Sequence, residues 1–152
     1  MYEKILVPLD GSAMAECSLA HVKAIASGCN THDVILIEAV EPITNESLQF
    51  LSHTGRDPLE AEEQNRVEAK NYLEGVSERL KSEGLPTKLI ITDGHPDKTI
   101  LEYAVDNNVD LIIMSTHGRS GASRWFYGSV ADKIVKTSSI PVMLITPDSC
   151  RI

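Results

Sequence analysis

The sequence predicts an α/β domain built on a single open five-stranded parallel sheet with helices on both faces. Two observations carry that prediction. Five short runs rich in Ile, Leu and Val do not alternate with polar residues, the pattern of strands buried on both faces. Helical patterns separate those runs, giving the order β-α-β-α-β-α-β-α-β and implying right-handed crossovers. At 152 residues the chain is expected to form one domain spanning 1–152, large enough to bury a real core.

The strands are expected at "KILVPL" (4–9), "VILIEAV" (34–40), "LIIT" (89–92), "LIIMS" (111–115) and "PVMLIT" (141–146). Ser12 is a candidate N-cap and Gly28 a candidate terminating glycine for a helix over 13–27. Residues 59–83 place Val67, Leu73, Val76 and Leu80 at helical spacing, with Gly84 as the stop. Pro96 suits the first turn of a third helix carrying Ile100, Leu101, Ala104 and Val105. Ser129, with Asp132 three residues on, is expected to cap a fourth. Residues 42–58 have no clear period and read as a long connection.

Composition narrows the function. The formal net charge of -8 argues against nucleic acid as a partner, since that binding wants a basic face. No apolar run approaches the roughly 18 residues that cross a membrane, and the N-terminal stretch lacks the features of a secretory leader. A cytoplasmic protein is expected, with no membrane partner. Cys17, Cys29 and Cys150 are odd in number, far apart and in no CxxC pair. They are expected to be reduced packing or surface residues. The five histidines are scattered, without the i, i+4 pairing of a zinc helix.

Ligands of open parallel sheets sit beyond the carboxyl ends of the strands, where strand order reverses. The first strand runs into "VPLDGS", which puts Asp10 at its carboxyl edge, placed for a ribose or a metal ion. The fourth runs into "STHGRSGASRWFYGS", residues 115–129, with Gly118, Gly121 and Gly128 ahead of a helix. Glycines there leave no Cβ in the way, and successive N–H groups can turn inward around an anion. Gly128 and Ser129 stand at a helix N-terminus, where free N–H groups favour phosphate. The bland alternative is that each glycine only ends a strand or starts a helix. Neither the Walker signature nor GxGxxG after the first strand is present.

"ILVPLDGS" (5–12), "GHPDKTILEYA" (94–104), "VDLIIMSTHGRSG" (109–121) and "GSVADKIVKTSSIPVMLI" (128–145) together resemble the universal stress protein family. The resemblance spans essentially the whole chain and is weakest over 42–65. It implies a parallel sheet of strand order 3-2-1-4-5. One branch of the family binds ATP through G-x2-G-x9-G-[S/T]; here Gly118, Gly128 and Ser129 match, and Ser115 stands where the first glycine would be. What the resemblance then implies is an adenosine beside Pro8, Leu9, Asp10, Ala39 and Met114. Phosphates would lie against Gly118, Arg119, Gly128, Ser129 and Val130, with Ser115 close to ribose or phosphate. His117, read from its place in the loop and not from the resemblance, is expected either to touch the ligand or to stabilise the loop by hydrogen bonding. ATP, with magnesium held by the phosphates and Asp10, is the expected cofactor, in a regulatory protein with slow or no hydrolysis and at most weak ATPase activity. Members of the family commonly dimerise through the last strand, which implies a homodimer through residues 141–146. The competing expectation is an interaction protein in stress response that keeps the fold without the nucleotide, with Ser115 as its first sign.

Overall fold

The computed structural model describes residues 1–116, 128–146 and 150. Five strands, β1 (Lys4–Pro8), β2 (Asp33–Val40), β3 (Thr87–Asp93), β4 (Leu111–Ser115) and β5 (Val142–Ile145), form one sheet in the order β3-β2-β1-β4-β5. All the pairings are parallel, with Lys4 opposite Asp33 on one side of β1 and Ile5 opposite Leu111 on the other. Each expected strand is present, with ends shifted by no more than a residue or two.

The sheet is buried on both faces, as the unbroken apolar runs require. One face sets Val7, Leu36 and Ile113 against Val22 of α2 (Ser18–Cys29) and against Leu73, Val76 and Leu80 of α4 (Pro58–Ser82). The other sets Leu6, Ile37, Ile112 and Met114 against Ile100 and Ala104 of α5 (Pro96–Asp106) and Ala131 and Ile134 of α6 (Ser129–Thr137). Pro96 takes the first turn of α5, and Gly84, at φ +84°, follows the last turn of α4.

The helices depart from the sequence expectations at identifiable points. The helix expected over 13–27 is two, α1 (Ala13–Glu16) and α2, divided at Cys17. Ser18 is fully buried there, and its hydroxyl is satisfied by donating to the Ala15 carbonyl at 2.8 Å. Gly28 does not end α2. Asn30 does so in the left-handed conformation at φ 55°, with Thr31 N–H closing on the Ala26 carbonyl at 3.1 Å. Residues 42–58 are no structureless connection, because they contain α3 (Asn45–Thr54). Thr44 caps α3 and Gly55 follows it at φ +72°, yet α3 has no buried residue. A helix without a buried stripe gives no apolar period to read. Val67 and Val105, expected on apolar faces, are exposed, and the buried stripe of α4 runs through Ala69 instead.

The cysteines give the other correction. Cys17 and Cys150 are joined by a disulfide across a sequence separation of 133, with Cα atoms 5.2 Å apart, and Cys29 is the free thiol. Distance along the chain is a poor guide here, because α1 packs on β4 and β4 pairs with β5. A closure this long stabilises by about 4–5 kcal/mol in the chain-entropy account.

The packing makes a direct prediction about α4. Leu73→Ala, at a side chain with no exposed surface, is expected to cost about 2–5 kcal/mol of unfolding free energy in urea titration. Val67→Ala, on the same helix but exposed, is expected to stay within about 0.5 kcal/mol. Equal costs would place the buried stripe of α4 elsewhere.

Candidate functional site: the cleft where strand order reverses

β1 is the strand at which sheet order reverses, with β2 on one side and β4 on the other. Beyond its carboxyl end the Leu9 N–H still donates to the Ile37 carbonyl at 2.9 Å, which holds the chain in line as far as Asp10. Gly11 then turns at φ +78°, a conformation that resists a side chain. The Asp10 Oδ1 accepts from the Ser12 N–H at 3.0 Å and from the Ser12 hydroxyl at 2.5 Å. Ser12 Oγ accepts in turn from the Ala15 N–H at 3.1 Å, so this turn and the cap of α1 are one hydrogen-bonded unit. Asp10 therefore has a structural task that the sequence reading did not assign to it.

Across the cleft, β4 and α6 are joined by their backbones. The Gly128 N–H donates to the Thr116 carbonyl at 2.7 Å, and the Thr116 N–H donates to the Ile145 carbonyl at 2.9 Å. The two ends of the glycine-rich stretch are thereby pinned together beside the sheet. Gly128, not Ser129, is the N-cap of α6, and no side chain caps it. Ser129 is the first helical residue and is exposed, which corrects the capping role expected for it. The first turn of α6 borders the cleft, and no side chain caps its N-terminus. Gly128 has φ -54°, so its lack of a side chain matters for room and not for backbone conformation.

These parts border a cleft of about 290 Å³. It brings together Pro8, Leu9, Asp10, Ala39, Met114, Ser115, Gly128, Ser129 and Val130, nine of the residues singled out in the sequence. His117, Gly118 and Arg119 lie outside the described residues. Leu9, Ala39, Ile100 and Met114 supply apolar wall, and Asp10, Glu38 and Glu41 supply carboxylates on the β1–β2 side. No Lys or Arg borders the cleft among the described residues. Ser115 is buried, and its Oγ makes no hydrogen bond to the described residues.

The sequence profile of the universal stress protein family matches residues 1–146. The chain belongs to that family. A relative from Methanocaldococcus jannaschii, universal stress protein MJ0577, is 33% identical over 155 residues, covering 95% of each chain. The solved structure of MJ0577 superposes with a TM-score of 0.81, covering 96% of each chain. An Archaeoglobus fulgidus universal stress protein solved in complex with dAMP shares the fold at TM-score 0.69 and 20% identity, over 95% of this chain and 98% of that one. A universal stress protein solved in complex with cAMP does so at TM-score 0.67 and 20% identity, over 95% and 97%.

This universal stress protein also holds cleft residues that sequence reasoning missed. Glu38 is 7% exposed at the carboxyl end of β2. Its signal was present: a lone carboxylate inside the apolar run "VILIEAV". Past Glu38, Ala39 and Glu41 the cleft adjoins a wider one of about 840 Å³ between the end of β2, α3 and α4. Tyr72 of α4 borders that second space, and its hydroxyl is sealed from solvent. Burial, then the neighbouring Glu16, Glu38 and Asp10 carboxylates, push the phenol well above the ordinary tyrosine range and keep it protonated. No group of three or more His, Cys, Asp or Glu able to hold a metal occurs among the described residues.

Ser12, in the turn after β1, and Ser129, at the start of α6, should separate in stability measurements. Ser12→Ala removes a cap bond and a partner of Asp10, and is expected to lower unfolding free energy by about 0.5–2 kcal/mol. Ser129→Ala removes no cap bond and is expected to stay within about 0.5 kcal/mol. Chemical denaturation of both variants checks this, and a large loss at Ser129 would contradict the capping assignment.

Proposed function

We propose that the cleft binds an adenine nucleotide, with ATP as the expected ligand, and that the protein acts as a nucleotide-responsive regulatory domain with slow or no hydrolysis. The observation that carries this reading is the polarity of the cleft. An apolar slot of Leu9, Ala39, Ile100 and Met114 suits a flat base. Carboxylates at Asp10 and Glu38 suit hydroxyl or amine donors. The uncapped N-terminus of α6 suits phosphate. Base, sugar and phosphate would thus each meet the chemistry they need, in the order in which a nucleotide carries them. The complexes of related family members with dAMP and cAMP support the same ligand class. A magnesium ion would be held mainly by the phosphates, with Asp10 as the protein ligand. The expected cytoplasmic setting belongs to the same reading.

A second reading has its own observation. Ser115 occupies the place of the first motif glycine, and its buried hydroxyl takes up room at the end of β4. In that reading the fold serves protein interaction without a nucleotide. The deciding experiment denatures the purified protein, identifies any released nucleotide by mass spectrometry, and titrates ATP calorimetrically. We expect ATP to bind, and Gly128→Val to weaken it about tenfold or more by crowding the phosphates without unfolding the chain, since φ -54° is open to valine. No released nucleotide together with no heat of binding would favour the second reading.

The homodimer belongs to this proposal as well. β5 pairs only with β4 and forms an edge of the sheet. Val142, Met143 and Leu144 are half-buried, so an apolar edge is left that a second copy can cover across a two-fold axis. Sedimentation at micromolar concentration should give a dimer for the parent protein and a monomer for Leu144→Pro: the Pro141 and Ile145 carbonyls accept from β4, so alternation turns the Leu144 N–H to the open edge, and proline there removes an edge donor. A monomeric parent would exclude this interface.

A further inference from the structure

We propose that Cys17 and Cys150 form a redox-reversible modification site, a latch whose closure stiffens α1 and with it the Asp10–Ser12 turn of the cleft. α1 is a single turn of four residues, too short to hold itself by its own hydrogen bonds. Its N-terminal end is held by the Ser12 cap and its middle by the burial of Ala15. Its C-terminal end is the Cys17 residue itself, whose N–H donates to the Met14 carbonyl at 3.3 Å. The pair of Glu16 with Arg79 at 2.7 Å lies at the surface and adds little. The disulfide is the one covalent restraint on this end of α1 among the described residues, added to the burial of Ser18 and Leu19 and to the bond from the Ser18 hydroxyl to the Ala15 carbonyl. Its effect has a short route to the cleft. Ala15 borders the cleft and donates its N–H to Ser12 Oγ, which donates to Asp10.

The setting suits reversible chemistry. Both cysteines are half-buried and border a surface cleft of about 220 Å³, so a small thiol can reach them. Lys23 and Arg79 line the same cleft, paired with Glu83 and Glu16. Closure needs a low-molecular-weight disulfide as oxidant. One cysteine thiolate attacks it, releasing a small thiol and forming a mixed disulfide. The second cysteine thiolate displaces the other small thiol. The protein loses two protons and two electrons, and the oxidant is reduced to two thiols. Opening is the same exchange run backwards by excess small thiol.

The latch is tested in a Cys29→Ser background, which removes the free thiol. Protein equilibrated with oxidised glutathione, then with dithiothreitol, is alkylated and weighed, and the amide exchange of residues 12–17 is followed by mass spectrometry. We expect no alkylation in the oxidised form and two alkylated cysteines in the reduced form. Exchange of α1 should be slower by about tenfold or more in the oxidised form, with reduced protein and Cys150→Ser alike. Two reactive cysteines after oxidation, or equal exchange in all forms, would overturn the latch. The link to the cleft also rests on the nucleotide reading and has a separate readout. ATP affinity should fall several-fold on reduction in the parent and not in Cys150→Ser. Equal affinity in both redox forms overturns that link alone. An absence of ATP binding in both forms overturns the nucleotide reading, and the amide exchange still decides the latch.

Discussion

Strand β1 is the constraint on which the other elements depend. Ile5, Leu6 and Val7 have no exposed surface, and successive side chains serve opposite cores. Each large side chain buried in this way contributes about 1.5–3 kcal/mol. Two cores that share one strand cannot be assembled independently. α2 and α4 must cover one face while α5 and α6 cover the other, and the crossovers on either side of β1 run in opposite senses. The crevice beyond Pro8 is the geometric consequence, since it opens at the point where the sheet order reverses.

The cleft divides its electrostatics between its two sides. Carboxylates collect where β1 and β2 end, and uncapped N–H groups collect where α6 begins. A net charge of -8 is no bar to an anionic ligand under these conditions, because helix N–H groups act over a few ångströms while the overall field is screened by salt. Glu38 and Tyr72 belong to the same arrangement. Glu38 is a buried carboxylate, and Tyr72 is a half-buried residue whose sealed hydroxyl stays protonated. Such polar groups are costly to bury and persist where neighbouring structure holds them.

Stability is uneven around this cleft. The strands and α4 carry the dense core, whereas α3 has no buried residue and α1 is a single turn. Elements with few buried contacts open at low free energy, and those beside ligand sites are commonly of this kind. A covalent tie at the end of α1 adds to the few buried contacts, at Ala15, Ser18 and Leu19, that hold this short turn.

What the sequence determined by itself was the part governed by local pattern. Runs such as "VILIEAV" and "LIIMS" read as buried strands because both faces of a parallel sheet are apolar, and Pro96 and Gly84 mark helix ends through their own backbone restrictions. The motifs at 5–12 and 128–145 located six of the residues that border the cleft, and the motif at 109–121 located Met114 and Ser115. The tertiary structure alone decided the rest. α3 buries no residue, and Leu48, Phe50 and Leu51 are too few large apolar side chains to announce it. Ser129 and Gly28 lost their expected capping roles because caps depend on where neighbouring N–H and C=O groups point, and Gly128 and Asn30 occupy those places. Cys17 and Cys150, 133 positions apart, meet because α1 lies on β4 and β5 pairs beside it. Contacts of that range are made by packing whole elements together, and local sequence carries no record of them.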